Sequence, residues 1–96
     1  MFKIVLTRKA ESERDILLPE LQQIVNAKLK ELATDPLSLS RKTVSPPYPP
    51  GGMMREFDAI TPDGVMHYFV ALFYFGQDEE TLIVHGIGYR AYDPRR

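Results

Sequence analysis

VMHYFVALFYF, residues 65–75, is the longest strand-like run in the chain. Its alternating faces, Val65/His67/Phe69/Ala71/Phe73/Phe75 and Met66/Tyr68/Val70/Leu72/Tyr74, are both apolar or aromatic. A strand apolar on both faces belongs in the middle of a sheet. Upstream, residues 53–60 read as a strand, joined to this run through Thr61-Pro62-Asp63-Gly64, which has the chemistry of a tight turn. Downstream, a turn over 76–80 leads to residues 81–87, whose β-branched content predicts a third antiparallel strand closing on His85-Gly86-Ile87-Gly88-Tyr89-Arg90.

The N-terminal third has different periods. In residues 1–6, Phe2, Ile4 and Leu6 alternate with Met1, Lys3 and Val5, a strand apolar enough on both faces to be internal or helix-covered. Thr7 can cap a helix starting near Arg8, which turns apolar at Ile16, Leu17 and Leu18 as it meets the core. Pro19 then suits the first turn of a second helix, where its missing N–H goes unused. In that helix Leu21, Ile24, Val25, Leu29 and Leu32 recur at intervals of three and four, with Gln22, Gln23, Lys28, Lys30 and Glu31 on the other surface. Asp35-Pro36 ends the pattern. The order predicts an α+β fold, β-α-α-β-β-β, with a helical hairpin on one face of a small antiparallel sheet and one domain over 1–96. Residues 36–52 hold five of the eight prolines, a loop of restricted shape in which residues 42–45 are a candidate short strand.

Composition excludes several chemistries. Ninety-six residues, 44% apolar, suffice for one core. The absence of cysteine rules out disulfides and thiolate metal sites, and two histidines eighteen residues apart without a clear third ligand do not make a zinc site. Gly51-Gly52 lacks a following Lys-Ser/Thr, and Gly86-x-Gly88 has no helix after it, so no phosphate loop is expected. Neither a metal nor a cofactor is expected. The N-terminus turns charged after six residues, and no run approaches the roughly twenty apolar residues of a membrane span. A soluble, cytoplasmic protein without membrane contact is the expectation. Net charge is −1, without the basic excess that usually marks nucleic-acid binding. Residues 1–45 carry a net of +2 and residues 46–96 a net of −3, so any electropositive surface is local.

The polar residues that could carry chemistry are Arg55, His67, His85, Tyr89 and Arg90, with Arg41, Lys42 and Tyr48 on the loop as candidate substrate contacts. On one face of the sheet, the cations would hold a phosphate while an imidazole or phenol exchanges a proton with an attacking ribose 2′-hydroxyl, which is RNA cleavage without metal. Arginine supplies only charge stabilisation, since it stays protonated. Strand register decides whether the residues share a face. Arg55 fits equally an ion pair with Glu56, Asp58 or a helix residue, and each histidine fits a half-buried structural role. Tyr48 fits a packing anchor, and the stripe Tyr68, Phe69, Phe73, Tyr74 and Phe75 reads as core rather than as a base-stacking platform.

Phe2-Lys3-Ile4-Val5-Leu6-Thr7-x-x-Ala10, Leu29-x-x-Leu32-Ala33-x-Asp35-Pro36, Met54-Arg55-Glu56-Phe57, the run from Tyr68 to Tyr74 and that from Ile83 to Arg90 together resemble, in this order, the RelE/ParE superfamily of small toxins from bacterial type II toxin–antitoxin modules. The resemblance spans roughly residues 2–90. It implies the same β-α-α-β-β-β fold, a cognate antitoxin as partner, and either cleavage of mRNA on the ribosome or inhibition of DNA gyrase. In RNA-cleaving members, basic residues on the first strand of the three-stranded meander, an arginine beginning the next, and an arginine or histidine after the last form the site. Here Arg55 stands in the first region, His67 or Tyr68 in place of the arginine in the second, and Tyr89-Arg90 at the end of the third. The readings are an endoribonuclease toxin, a gyrase inhibitor, and a non-enzymatic or inactive protein-binding module on the same fold.

Overall fold

The computed structural model describes residues 1–43 and 52–94. They form, in order, β1 (Lys3–Leu6), α1 (Arg8–Asp15), α2 (Pro19–Leu32), β2 (Arg41–Lys42), β3 (Met53–Ile60), β4 (Met66–Phe75) and β5 (Thr81–Tyr92). All the strands join one sheet in the order β1-β5-β4-β3-β2, which puts β4 at the centre as its two apolar faces require. β3, β4 and β5 make the expected antiparallel meander. β1, however, pairs parallel with β5, from Lys3 opposite Thr81 to Leu6 opposite Val84, so the sheet is mixed rather than antiparallel throughout. Parallel neighbours need a long connection, and the helices plus the meander provide one. A short strand falls at 41–42, against Met53 and Met54 of β3, while residues 44–45 of the expected 42–45 strand lie outside the described residues. Tyr48 and the proline segment around it lie outside the described residues.

Local chemistry sets the ends of the elements. Thr7 Oγ1 accepts a hydrogen bond from the Ala10 N–H at 3.2 Å and caps α1, and Pro19 occupies the first turn of α2. The turn between β3 and β4 places Gly64 at φ +83°, a region that L side chains resist. In the turn before β5 the Asp78 carboxylate accepts from the Glu80 and Thr81 N–H groups at 3.0 and 3.1 Å, and these bonds hold its pKa below the ordinary value.

Both helices lie on one side of the sheet. Leu21, Val25, Leu29 and Leu32 of α2 are buried with Phe57, Phe69, Phe73, Leu82, Val84 and Ile87. Burying a large apolar side chain of this kind stabilises the fold by about 1.5–3 kcal/mol. At the turn between the helices only Leu17 reaches the core, while Ile16 and Leu18 are 83% and 63% exposed. Three consecutive residues cannot all face inward where the chain reverses. β1 is an edge strand covered on its helix side, through Phe2, Ile4 and Leu6, with Val5 turned out, and not an internal strand. It stops at Leu6 while β5 continues to Tyr92. Beyond that point α1 covers the edge, and Glu13 Oε1 accepts from the Ile87 N–H at 3.0 Å.

Candidate functional site

Alternation along β3, β4 and β5 sorts the candidate residues onto the two faces of the sheet. Arg55, His67 and Tyr89 share the helix side with Phe57, Phe69 and Ile87. Arg55 is 6% exposed; its Nη1 donates to the Lys28 carbonyl at 3.0 Å and its Nη2 to Glu31 Oε1 at 2.7 Å. It ties β3 to the C-terminal part of α2, where the exposed carbonyls favour a cation. The hydrogen bond from Arg55, then its charge, hold the Glu31 carboxyl below its ordinary pKa.

His67 is buried on both ring edges. Its Nε2 lies 3.0 Å from Thr61 Oγ1 and its Nδ1 2.7 Å from the Tyr89 hydroxyl. The Thr61 hydroxyl donates to the Asp63 carboxylate, so it is an acceptor for His67. The consistent arrangement is a proton on Nε2, with Nδ1 accepting from Tyr89. Burial raises the Tyr89 phenol pKa and keeps that donor protonated.

The other face has no helix over it. Three rows cross β3, β4 and β5 there: Met54–Leu72–Gly86, Glu56–Val70–Gly88 and Asp58–Tyr68–Arg90. Met54, Glu56, Val70, Gly88, Tyr68 and Arg90 of these rows line a groove of about 580 Å³ together with Arg41 and Tyr92. Gly88 keeps its floor low, since a Cβ there would stand 2.7 Å from Val70 Cγ1. Arg41 pairs with Glu56 across the groove's β2 side. Asp58, Tyr68 and Arg90 have no hydrogen-bond or ion-pair partner among the described residues, so the row presents an anion, a phenol and a cation to whatever enters.

The structure therefore does not gather the five candidates expected to form one cluster. Arg90 lies in the groove with Arg41, whereas Arg55, His67 and Tyr89 use their polar atoms on the opposite face. His85 is on the open side but five residues from Arg90 along β5, about 17 Å at strand rise. Its ring lies 5.6 Å from that of Tyr74, and burial, followed by the nearby Lys9, lowers its pKa. Lys42 is exposed on β2 opposite Met53. The separation has a local cause, a β-bulge between the Leu72 and Phe73 pairings that leaves His85 as the extra residue of β5. A one-residue slip exchanges the faces of everything beyond it. It turns Tyr89 toward the helices and Arg90 outward.

The aromatic stripe is also divided. Phe69 and Phe73 are core, but Tyr68 and Tyr74 are 48% and 37% exposed on the open face. The signal was in the residue types: along β4 the hydroxyl-bearing rings fall on one face and the plain phenyl rings on the other. Glu56 and Tyr92 line the groove without having been singled out for it.

No family model and no curated protein matches the sequence. Solved structures do match the fold. The toxin–antitoxin complex RelBE2 from Mycobacterium tuberculosis superposes with a TM-score of 0.71 over 93% of this chain and 98% of that chain, at 13% identity. The intact E. coli RelBE toxin–antitoxin complex gives 0.59 over 92% and 95%, at 12% identity.

Proposed function

We propose that this chain, which has the fold of RelE-type toxins, is the toxin component of a type II toxin–antitoxin pair, cleaving mRNA and neutralised by a protein antitoxin. The observation that carries the reading is the open-face groove, where Arg90, without an ion-pair partner among the described residues, stands beside Tyr68 in the same lining as Glu56. The fold likeness supports a toxin, and both similar structures being complexes supports a protein partner.

In this reading the scissile phosphate sits on Arg90, whose fixed positive charge stabilises the charge that builds up on phosphorus-bound oxygens. Glu56, held by Arg41, takes the proton of the ribose 2′-hydroxyl as its oxygen attacks phosphorus. The bond to the 5′-oxygen breaks, that oxygen takes a proton from solvent, and a 2′,3′-cyclic phosphate remains. The residues the sequence placed in the site divide accordingly: Arg90 and Arg41 act in the groove, while Arg55, His67 and Tyr89 hold the sheet and helices that form it.

Inducible expression of the chain, read as growth together with primer-extension mapping of cellular mRNA, tests the reading. Growth arrest with discrete new mRNA ends is expected. Normal growth with intact mRNA and well-folded protein would refute it in favour of a protein-binding module, and DNA damage with intact mRNA would point to gyrase inhibition.

A further inference from the structure

We infer that the open face of the sheet is an interface between two copies of this chain, packed face to face about a two-fold axis that runs along β4. Charge on that face is sorted by strand. β4 contributes Tyr68, Val70, Leu72 and Tyr74, all uncharged, while the acids Glu56 and Asp58 stand on β3 to one side and Arg90 on β5 to the other. Asp58 and Arg90 have no partner among the described residues of their own chain.

A two-fold axis along β4 sets each residue of that strand against its own copy, and each residue of β3 against the partner's residue from the same row of β5. Asp58 then meets the partner's Arg90 and Arg90 the partner's Asp58, two ion pairs from one row, with the two Tyr68 rings between them. Shape follows the same symmetry. Met54 and Glu56 stand across β4 from Gly86 and Gly88, so side chains on one flank face bare backbone on the other. A Cβ at Gly88 would collide with Val70 Cγ1 at 2.7 Å, which keeps that flank low. Glu56 enters already neutralised by Arg41. An axis across the strands at the Tyr68 row would instead set Asp58 against Asp58 and Arg90 against Arg90, which like charge forbids.

The face is large enough for such a contact. β4 is 10 residues long, about 33 Å at strand rise, and the five-stranded sheet is about 19 Å wide, which gives up to roughly 600 Å² before side-chain relief. Each partner of a stable complex contributes about 800 Å² of accessible surface, a comparable figure. Among the described residues no helix covers the face, and Tyr68, Tyr74 and Tyr92 are 48%, 37% and 58% exposed on it. Twisted sheets stack at about 30° to one another, and the axis bisects that angle. The uncharged residues of β4 form the centre of the contact and the Asp58–Arg90 pairs flank it, as apolar core and polar rim do in interfaces generally. In the dimer Arg90 is occupied and the groove lies inside the interface, so the groove opens only on dissociation.

Sedimentation of the full chain over a concentration series tests the interface, with folding checked by thermal melting. The wild type should pass from monomer to dimer as concentration rises. Asp58→Arg sets two cations face to face and Arg90→Glu two carboxylates, twice in each dimer, so either substitution should weaken association by about 10-fold or more. An equal mixture of the two variants should recover wild-type association within a few-fold, because every cation of one chain then faces a carboxylate of the other. A wild type that stays monomeric throughout leaves the face to some other partner and overturns the inference. Dimers that survive in both single variants lie on another surface, and variants that associate no better mixed than apart exclude this axis; either result overturns it too. None of these outcomes bears on the RNA reading, which the mRNA mapping decides.

Discussion

The two faces of β3–β5 are built from the same three strands and treat charge in opposite ways. Toward the helices, Arg55 is met by Glu31 and the Lys28 carbonyl, and His67 by Thr61 and Tyr89. Toward the open side, Asp58, Tyr68 and Arg90 meet nothing among the described residues. Residue type does not separate structure from function here, since an arginine serves on each face; burial does, because Arg55 and His67 are enclosed on the helix side, whereas on the open side even the Arg41–Glu56 pair is exposed. A buried charge must be paired for the fold to be stable, whereas an exposed one left unpaired costs little and stays available to a ligand.

Exchange of the two arginines for alanine is the sharpest way to break that comparison. Arg90→Ala should lower mRNA cleavage by about 100-fold or more, the usual effect of removing a group that stabilises transition-state charge, with Tm unchanged. Arg55→Ala should act on stability instead, by about 2 kcal/mol, through the lost hydrogen bonds from the buried guanidinium to the Lys28 carbonyl and Glu31. In a chain of this size that lowers Tm by about 10 °C in a thermal melt. Cleavage lost in Arg55→Ala at full stability would place Arg55 in the site after all. A smaller effect is expected for Tyr89→Phe, which removes the donor to His67 and should cost about 1 kcal/mol in denaturant unfolding with cleavage kept. Cleavage lost in that variant with stability unchanged would move Tyr89 to the catalytic side of the comparison.

The smallest effect concerns His85, on the open face but away from Arg90. Its folded pKa lies below the ordinary 6.5, so the unfolded chain binds the proton more readily. The stability from a neutral His85 is complete above about pH 6.5 and is lost as pH falls through the lower folded value. Tm measured from pH 7.5 to 5 should therefore fall less in His85→Asn than in the wild type. Equal slopes would show that the imidazole is indifferent to its surroundings.

Much of this architecture was legible in the chain. Alternation in residues 65–75 predicted the central strand, the three- and four-residue spacing from Leu21 to Leu32 predicted the buried helix face, and Thr7 and Pro19 marked two helix starts. Arg41 and Arg90 were singled out as candidate contacts from the sequence and do line the groove. The faces of β5 were not legible. Counting in twos from Val84 puts Gly86, Gly88 and Arg90 inward, and only pairing with β4 shows the extra residue at His85 that reverses this. Arg55 was read either as a ligand contact or as an ion pair, for instance with a helix residue, and pairing with Glu31 makes it the second. Its exposure depends on where the end of α2 settles, a long-range fact that no local pattern near residue 55 contains. The parallel partnership of β1 with β5 is likewise a matter of which edge was left free.

Glu13 stands where a sixth stretch of strand would otherwise be needed. By accepting from the Ile87 N–H, it fills a rung of β5 that β1 is too short to reach. An open rung of that kind is where a neighbouring copy's backbone would add and begin a continuous sheet. One glutamate on a short helix thus acts as a stopper against self-assembly along β5, and it puts a negative charge in the path of any incoming strand. The outer side of β1, with no such side chain bonded to it among the described residues, is left as the edge from which this sheet could be extended.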